Sequence, residues 1–541
     1  MKFLNWLLYE VHRWLGIAVG IFMFVWFLTG LVIMYSTPTT QTPTQQLAHA
    51  EILAVEPGWL SLGDVWQHSE VQRKLASNQR AVKKESNSSQ KQKQEEPAIT
   101  DARLVRINGE PLWLVDDTRN QRFALSANDG ALREFSEAQS LQIAQSWYKA
   151  INEHDVPKVR YLELVDSPII LRNQESLRPF HHIAVGEAGD ELLISSRTGE
   201  VLHASTRLER AFFWAGNWIH LFKPLEALGY GSIRHDVQLW SSLIATIATL
   251  TGLIIGWLRW RPGFNGKRTY SEGRTQPYRE FWFKWHFWTG LLGGTLALFW
   301  ALSGFIDTNP GKLFSQGDYT REELNHYLDN ALPEVMSNSK PIELIGENKV
   351  QDLVQLNWRR LGNEAVLLAY GRDGVRIPQI VGSSLPQFSS AALVSGVNRV
   401  QAITEMETTT LLNEYDSYYY PRHHQTKLDK PLPVLLVKLS DEAATRFYLD
   451  PQDGRLLSKF DKSRRILRWL YSALHHWDFG WLYYRPLWDI WMIIWVSCGL
   501  VLGASSLVIG WRRLKKTLAP KKHKARRPAF ISELVTENVT D

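Results

Sequence analysis

The stretch HRWLGIAVGIFMFVWFLTG at residues 12–30 decides the fold, because its pattern recurs in HFWTGLLGGTLALFWALSG at residues 286–304. In both stretches a histidine is followed by glycines four, eight and eighteen residues later, and most other residues are apolar. Eighteen residues make five turns of an α-helix, about 27 Å, so the histidine and the last glycine share one helix face. Each stretch is therefore predicted to cross a membrane, with its histidine and last glycine at opposite depths.

A histidine in or near hydrocarbon is costly, and it indicates a functional site by default. The same histidine and small-residue groove on two helices suggest a flat ligand held between them, and haem is the obvious candidate. The alternative is that the histidine merely sits at the membrane interface while glycines at four-residue spacing let helices pack closely. For one histidine that alternative is the better interpretation. The repetition favours the ligand.

Four apolar runs are each long enough to cross a bilayer as a helix. They cover Leu15–Tyr35, Leu239–Trp260, Phe281–Ile306 and Leu487–Trp511. The mean hydropathy of the 541 residues is −0.23 although the chain also carries a polar, lysine-rich segment, so apolar residues are concentrated in these runs. The predicted fold class is a membrane α-helical protein with four transmembrane helices.

Basic residues indicate the orientation of the chain. The loop from Arg259 to Lys284 has seven Lys or Arg against two acidic residues, and nine Lys or Arg lie between Arg512 and Arg527. The positive-inside rule places both regions on the cytoplasmic side. The net charge of +6 is then mostly a topology signal beside anionic membrane lipid, and it predicts no nucleic-acid partner.

This orientation puts both termini in the cytoplasm and exports the two long segments between spans. The predicted domains are the N-terminus and first helix 1–35, an exported domain 36–235, the second helix 236–260, a basic cytoplasmic loop 261–281, the third helix 282–306, a second exported domain 307–485, the fourth helix 486–511 and a basic cytoplasmic tail 512–541.

The exported segments repeat as well. Residues 198–202, TGEVL, align with residues 453–457, DGRLL, at an offset of 255 that holds without a gap to His220 and His475. In each copy alternating apolar residues before a Gly turn predict a β-hairpin, and a helical segment follows. The chain is therefore predicted to be a tandem duplication of a span, an exported domain and a second span.

The exported domains have the pattern of α+β folds. In the first, strand-like runs at Leu112–Val115 and Gln121–Leu125 precede a helix-like segment, Glu137–Ala150. Residues 77–97 are polar, charged and almost without apolar side chains, so they are predicted to be disordered.

The four repeated histidines are predicted to pair at two membrane depths. His12 and His286 begin the first and third spans, which both run outward, so they meet near the cytoplasmic face. His220 and His475 precede the second and fourth spans and meet near the outer face. Two histidines from facing helices can fill both axial positions of a haem iron. The chain is therefore predicted to bind two bis-histidine haems.

The repeated glycines have a geometric role in this hypothesis. Gly16 and Gly290, four residues after a ligand, remove side chains that would collide with a porphyrin. Gly30 and Gly304 give room to the outer haem. His476, beside His475, is a competing outer ligand that the sequence does not exclude, although the repeat favours His475.

A weaker set of polar residues is predicted to form an exported site for an anionic or iron-bearing substrate. The alternative for any one of these residues is a solvated or structurally satisfied face. The set consists of Arg178, His181, His182, Tyr418, Tyr419, Arg422, His423 and His424.

Several motifs are missing from the sequence. The single cysteine, Cys498, allows no disulfide within the chain, and without Cys-x-x-Cys-His any haem is held non-covalently, as haem b. The sequence has no Gly-x-Gly-x-x-Gly after a strand, no Walker motif and no His-Glu-x-x-His. The cytoplasmic regions are too short for a flavin or nicotinamide domain.

Taken together, these motifs resemble the PepSY-associated transmembrane helix family, over nearly all of the chain except residues 77–97. The resemblance is carried by His12-Arg-Trp-Leu-Gly16, Thr29-Gly30, Gly252-Leu-Ile-Ile-Gly256-Trp-Leu-Arg-Trp260, Trp285-His286-Phe-Trp-Thr-Gly290, Ser303-Gly304, the Gly-Glu-Val-Leu hairpin ending at Leu202, and the run from Arg468-Trp469-Leu470 through His475 to Arg485-Pro486-Leu487-Trp488-Asp489.

The resemblance implies two exported PepSY-like domains and a bacterial inner-membrane location. The best-understood relatives release iron from siderophores in the periplasm, using haem b held by transmembrane histidines. By position, that implies His12, His286, His220 and His475 as ligands. Some relatives carry a C-terminal flavoprotein reductase that these 541 residues lack, so the electron donor stays open between quinol and a separate cytoplasmic reductase.

The predicted function is transmembrane electron transfer to an exported-side acceptor, a ferric siderophore above all. One rival is a non-enzymatic membrane protein that regulates or binds peptidases or envelope proteins. Another is a transporter, which the internal duplication favours. Parallel repeats, few spans and the lack of a helix broken by proline in mid-membrane argue against the transporter.

Overall fold

The computed structural model describes residues 2–36, 40–85, 97–150, 156–171, 174–264, 266–315, 318–329, 338–345, 350–381, 384–401, 406–422 and 425–518. The chain divides into two compact units. A helical unit comprises Met1–Phe27, Leu243–Leu298 and Ile494–Asp541, and a mixed unit comprises Leu28–Ser242 and Phe299–Ile493.

Three helices are long and apolar enough to cross a membrane, and a bent pair of helices makes a fourth candidate. The three are Phe3–Tyr35, Gly231–Arg259 and Leu487–Leu518, of 33, 29 and 32 residues. Each exceeds the roughly 20 residues that a bilayer requires. The chain is thus a membrane protein with three or four spans, depending on how the bent pair is counted.

The third predicted span is broken, which corrects the expectation of one continuous helix over 282–306. Its two parts, Phe281–Leu292 and Gly294–Asp307, meet at an angle of 67°. The bend keeps its hydrogen bonds, because the Gly293 N–H donates to the Thr289 carbonyl (2.8 Å). A Cβ on Gly293 would lie 3.1 Å from Cβ of Cys498, so glycine permits a close approach of the fourth-span helix.

The described helices include the long apolar helices and shorter helices that alternate with the strands along the chain. They are α1 Lys2–Tyr35, α2 Pro43–Ala48, α3 Leu62–His68, α4 Glu70–Glu85, α5 Glu137–Lys149, α6 Arg207–Phe213, α7 Pro224–Ala227, α8 Arg234–Arg259, α9 Phe281–Leu292, α10 Gly294–Asp307, α11 Arg321–Leu328, α12 Ser390–Val400, α13 Lys462–Leu467, α14 Leu474–His476 and α15 Leu487–Leu518.

All described strands belong to the mixed unit and pair antiparallel. They are β1 Ile99–Ile107, β2 Glu110–Asp117, β3 Arg122–Ser126, β4 Leu132–Arg133, β5 Val159–Val165, β6 Phe180–Val185, β7 Asp190–Ser195, β8 Val201–Ser205, β9 Leu353–Leu361, β10 Glu364–Gly371, β11 Arg376–Gln379, β12 Met406–Leu412, β13 Val434–Leu439, β14 Arg446–Leu449 and β15 Leu456–Phe460.

A seven-stranded sheet contains strands of both predicted exported domains, in the order β11-β10-β9-β1-β2-β3-β4. The two segments meet where β1 pairs with β9, for example Leu104 opposite Leu356. Both side chains are fully buried, as are those of Trp113 and Leu367 on the neighbouring strands. The division into two exported domains did not anticipate this shared sheet.

Two four-stranded sheets follow the chain order, β5-β6-β7-β8 and β12-β13-β14-β15. Each ends in the hairpin predicted from the repeat, which turns at a glycine of positive φ: +70° at Gly199 and +69° at Gly454. After each sheet a capped helix begins, α6 behind the Thr206 hydroxyl and α13 behind the Asp461 carboxylate. The predicted strands and helix of the first exported segment also match β2, β3 and α5.

The segment predicted to be disordered, 77–97, is partly helical. Its first nine residues continue α4, and residues 86–96 lie outside the described residues. Residues 79–85, QRAVKKE, are mostly good helix formers. Earlier in α4, Arg73 stabilises the helix by placing its guanidinium 3.2 Å from the Trp66 ring centre.

Alanine at Gly454 is expected to lower the free energy of unfolding by about 3 kcal/mol, because left-handed strain adds to a collision. The new Cβ would lie 2.8 Å from the ring of Phe388. Gly109→Ala is the matched control, since Gly109 has φ +74° but open space around it, and it should cost only about 1 kcal/mol. Denaturant unfolding followed by tryptophan fluorescence measures both, and equal losses would contradict the packing argument.

Candidate functional site

The inner histidine pair lies within the helical unit. His12 of α1 and His286 of α9 face each other with ring centres 6.2 Å apart and ring planes at 48°. In a first-row metal complex each metal–nitrogen bond is about 2.0–2.1 Å, and the nitrogen lies about 1.1 Å from its ring centre. Two imidazoles on opposite sides of one metal ion therefore have nearly this separation.

Hydrogen bonds fix the tautomers of the inner pair. Nδ1–H of His12 donates to the Ala248 carbonyl (2.9 Å). Nδ1 of His286 lies 3.2 Å from the Ser505 hydroxyl, which itself donates to the Leu502 carbonyl (2.8 Å) and so accepts from the imidazole. In both rings Nε2 therefore carries the lone pair, as in metal-binding histidines whose other nitrogen is held by the protein.

A cavity of about 560 Å³ adjoins the inner pair, within the usual size of a small-molecule site. Both histidines line it, together with Gly16 and Gly290. A Cβ on Gly16 would have no heavy atom within 4 Å, so this glycine borders open space. Gly252 has a different role, because its Cβ would lie 2.7 Å from Cε1 of His12 and would displace the ring.

The outer histidine pair lies within the mixed unit. The rings of His220 and His475 have centres 6.3 Å apart and are nearly perpendicular, at 82°. Cβ atoms on Gly30 and Gly304 would lie 3.9 and 4.0 Å from Cε1 of His220 and His475, so each glycine lies against one ring. The outer pair thus repeats the ring separation of the inner pair.

Hydroxyl groups orient both outer rings through Nδ1. Thr29 Oγ1 lies 2.9 Å from Nδ1 of His220, and Ser303 Oγ lies 3.0 Å from Nδ1 of His475. The Ser303 hydroxyl also donates to the Trp300 carbonyl (3.1 Å), so it accepts from His475. Burial lowers the pKa of His475 to about 4, so this imidazole is neutral and suited to a transition metal.

A family comparison extends this picture. Residues 9–344, more than half of the chain, match the family described as PepSY-associated TM region. The chain belongs to this family. Among curated proteins the comparison found no match. His12, His220 and His286 of this PepSY-associated protein lie within the matched residues, and His475 lies beyond them.

Both outer histidines follow a π-helical turn. Trp214–Trp218 precedes His220, and Arg468–Ala473 precedes His475. A π turn inserts one extra residue into a helix and commonly marks a functional site. Sequence reasoning missed both turns, because the constant offset of 255 gives equal lengths but no backbone geometry.

The orienting hydroxyls were missed too, although the repeat contains a signal for two of them. Thr29 and Ser303 each directly precede the last glycine of the duplicated pattern and are 274 residues apart, the same offset as His12 and His286. A hydroxyl residue retained at one register position of both copies indicates a hydrogen bond to a neighbouring ligand. No comparable pattern marks Ser505.

His475, the neighbour of His476, is the residue whose ring pairs with His220. The ring of His476 contacts those of His475 and Tyr471, at 5.3 and 5.4 Å, and its carbonyl accepts from Trp488 Nε1 (2.8 Å). In the part of the chain that the structure describes, no group of three or more His, Cys, Asp or Glu is arranged to hold a metal ion.

The first part of the predicted substrate set lies on and beside β6. His181 is buried, with Nε2 donating to the Phe135 carbonyl (2.8 Å) and Nδ1 near the Tyr161 hydroxyl (3.3 Å). Nε2 of His182 lies 3.1 Å from a carboxylate oxygen of Glu191. Arg178 lies two residues before this strand begins at Phe180.

The second part of this set lies between β12 and β13. Tyr419 is fully buried, and its hydroxyl donates to the Pro431 carbonyl (2.8 Å). Tyr418 accepts from Trp469 Nε1 (3.2 Å), and Arg422 donates to the Ser472 hydroxyl (3.1 Å), so both contact the π turn before His475. The remaining two, His423 and His424, lie outside the described residues.

Proposed function

We propose that this protein holds two b-type haems and transfers electrons across a bacterial inner membrane to a ferric siderophore on the exported side. The observation that carries the proposal is the matched spacing of the two imidazole pairs, 6.2 Å for His12 with His286 and 6.3 Å for His220 with His475. Both values agree with two axial ligands of one iron. On this proposal both termini are cytoplasmic and the two halves arose by duplication.

The surroundings of the pairs support haem. All four rings hydrogen-bond through Nδ1, so Nε2 is the nitrogen that would bind a metal. The inner pair adjoins a cavity of about 560 Å³ whose wall includes Gly16, where a flat macrocycle would meet no side chain. Haem supplies an iron that exchanges one electron at a time between Fe(III) and Fe(II).

The chain's own residues have separate tasks in this scheme. The four histidines would hold the iron, while Ala248, Ser505, Thr29 and Ser303 orient the imidazoles. Apolar side chains around the inner cavity exclude water and so tune the reduction potential. No residue is assigned acid–base catalysis, and the electron donor is quinol or a separate cytoplasmic reductase.

The substrate step is a one-electron reduction of chelated Fe(III) to Fe(II). Hard oxygen donors hold Fe(III) tightly, whereas Fe(II) exchanges its ligands readily, so reduction releases the metal from an otherwise intact siderophore. If quinol is the donor, its two electrons reduce two ferric ions and its two protons are released.

Reoxidation of the chemically reduced protein tests this function. Mixing with a ferric trihydroxamate should shift the haem absorption from the reduced to the oxidised form while Fe(II) appears in a chelator trap. The gallium(III) complex of the same ligand is the control, since it has the same shape and charge but accepts no electron. Equal rates with both complexes, or no reaction with iron, would overturn the proposed acceptor.

Alanine at Ser303 is expected to weaken haem binding at the outer pair about 10- to 100-fold, because Nδ1 of His475 loses its acceptor. Haem retention during dilution in detergent measures the effect. Ser241→Ala is the matched control, since the buried Ser241 hydroxyl bonds to carbonyls of its own helix. Equal haem loss in both variants would contradict an orienting role for Ser303.

A transporter is the second candidate, and the broken third span favours it, because transporters often bind substrate at interrupted helices. The break at Gly293, however, exposes no unpaired backbone there: its N–H donates to Thr289, and its carbonyl accepts from Ala297 (3.0 Å). A transporter also predicts a colourless protein, so an absorption spectrum separates the two functions.

A further inference from the structure

The lining of the inner cavity is strongly cationic. Five residues that line the cavity carry a positive charge, and among its described lining residues none is acidic. The five are Arg13, Arg259, Arg512, Arg513 and Lys516. Like charges around one cavity repel each other, so this arrangement favours an anionic occupant.

Only two of these cations have an acidic partner among the described residues. Arg13 pairs with Glu10 (2.6 Å), and Arg512 pairs with Glu280 (2.9 Å). In the described chain no ion pair compensates Arg259, Arg513 or Lys516. The cavity lining therefore has an excess of about three positive charges.

Arg259 is held in place by two phenols. Its Nε donates to the Tyr9 hydroxyl (3.0 Å) and its Nη1 to the Tyr278 hydroxyl (2.6 Å), while the guanidinium lies 4.7 Å from the Tyr9 ring centre. A fixed guanidinium loses less entropy when it binds a carboxylate than a flexible one does. Arg259 is thus preorganised for an anion.

This guanidinium is close to the inner histidine pair. Tyr9 precedes His12 by three residues of α1, less than one helical turn and about 4.5 Å along the axis. Tyr278 packs against the ring of Phe287 with ring centres 6.0 Å apart, and Phe287 directly follows His286 in α9. Arg259 also lines the same cavity as His12 and His286, so a ligand bound between the two histidines shares that cavity with the guanidinium.

We infer that Arg259, supported by Arg513 and Lys516, binds the carboxylates of the porphyrin held by His12 and His286. This inference rests on the proposed haem function and adds an anionic subsite to it. A neutral quinone in the same cavity would leave the three cations uncompensated. The phosphate of an anionic lipid would have suitable charge, but it offers no group for the two imidazoles.

Haem and its dimethyl ester provide the test, because the ester keeps the iron and the ring but has no negative charge. Apoprotein carrying His475→Ala restricts loading to the inner pair, and absorbance titration in neutral-lipid nanodiscs gives both dissociation constants. Haem should bind about 10- to 100-fold more tightly than the ester. This is the affinity that one hydrogen bond to a charged group typically contributes. In Arg259→Gln this preference should shrink to a few-fold.

Two further variants keep the test decisive. Arg268→Gln removes an exposed positive charge from the loop that follows Arg259 and should leave the preference for haem over the ester unchanged. If Arg259→Gln does not fold, the double variant Arg513→Gln/Lys516→Gln should also reduce the preference, since it removes two uncompensated charges without affecting Tyr9 or Tyr278.

The outcomes separate this inference from the function on which it rests. Equal affinity for haem and ester in the parent protein, with His12-dependent binding of both, would overturn the carboxylate subsite alone. Failure of both porphyrins to bind would overturn the haem function together with it. An unchanged preference in Arg259→Gln would overturn the role of Arg259. A preference that disappears when anionic lipid is added to the nanodiscs would assign the cations to lipid phosphate.

Discussion

Alanine at His12 is expected to remove one of two haems from each chain and to leave the other spectrally intact. On the proposed function this imidazole is one of two axial ligands of the inner iron, and His286→Ala should have the same effect because it would remove the opposite ligand. The double variant His12→Ala/His286→Ala should lose no more haem than either single variant. Haem extraction and absorption spectroscopy, normalised to protein, measure all three.

The outer pair supplies the complementary result. His220→Ala and His475→Ala should each remove the other haem, so that His12→Ala/His475→Ala is colourless. His235→Ala is the matched control, because this imidazole lies at the start of α8 and bonds the Thr308 carbonyl (3.0 Å). The pairing is wrong if His12 and His220 variants lose the same haem, or if the control loses one.

Leucine at Gly16 is expected to abolish the inner haem while leaving the protein at least as stable without haem. The side chain would project into the space that borders Gly16, where a Cβ meets no heavy atom within 4 Å. Replacing a helical glycine by leucine also stabilises a helix by about 0.5–1 kcal/mol. Haem content and thermal unfolding of apoprotein should therefore change in opposite directions.

Ala18→Leu controls for the added bulk, since Ala18 is exposed on the same helix and its leucine would point away from the protein. This variant should keep both haems. If Gly16 only allows close helix packing, Gly16→Leu should instead destabilise the apoprotein and leave the haem of folded molecules in place. That result would contradict a cavity that receives a flat ligand.

The sequence predicted the spans well because hydrocarbon imposes a long apolar run on any helix that crosses it. It did not predict the bend at Gly293. Two adjacent glycines, Gly293 and Gly294, occur within an uninterrupted apolar run, and their effect depends on the partner helix that carries Cys498. Such a tertiary contact leaves no periodic signal in the chain.

The seven-stranded sheet shows a similar limit. Individual strands such as β2 and β3 were predicted from local alternation, which one segment contains by itself. The pairing of β1 with β9 joins residues about 250 positions apart, and an open strand edge does not specify its partner. Two independent exported domains were therefore the natural expectation, and the shared sheet required the structure.

At the candidate site, the sequence predicted which histidines recur, and the structure brings these four together as two pairs. Their orientation depends on single hydrogen bonds to Ala248, Ser505, Thr29 and Ser303. One of these partners is a backbone carbonyl, which every residue type provides, so no sequence pattern identifies it. The π turns before His220 and His475 are equally invisible to spacing alone.

Electron paramagnetic resonance of the oxidised protein, combined with haem quantification, tests the central claim most directly. The account predicts about two haems per chain and two distinct low-spin ferric signals, because both irons have two imidazole ligands. The signal lost in His475→Ala should be the more anisotropic one, since the outer rings are at 82° and the inner rings at 48°. A protein without haem, or a high-spin signal from iron with one imidazole, would contradict the account.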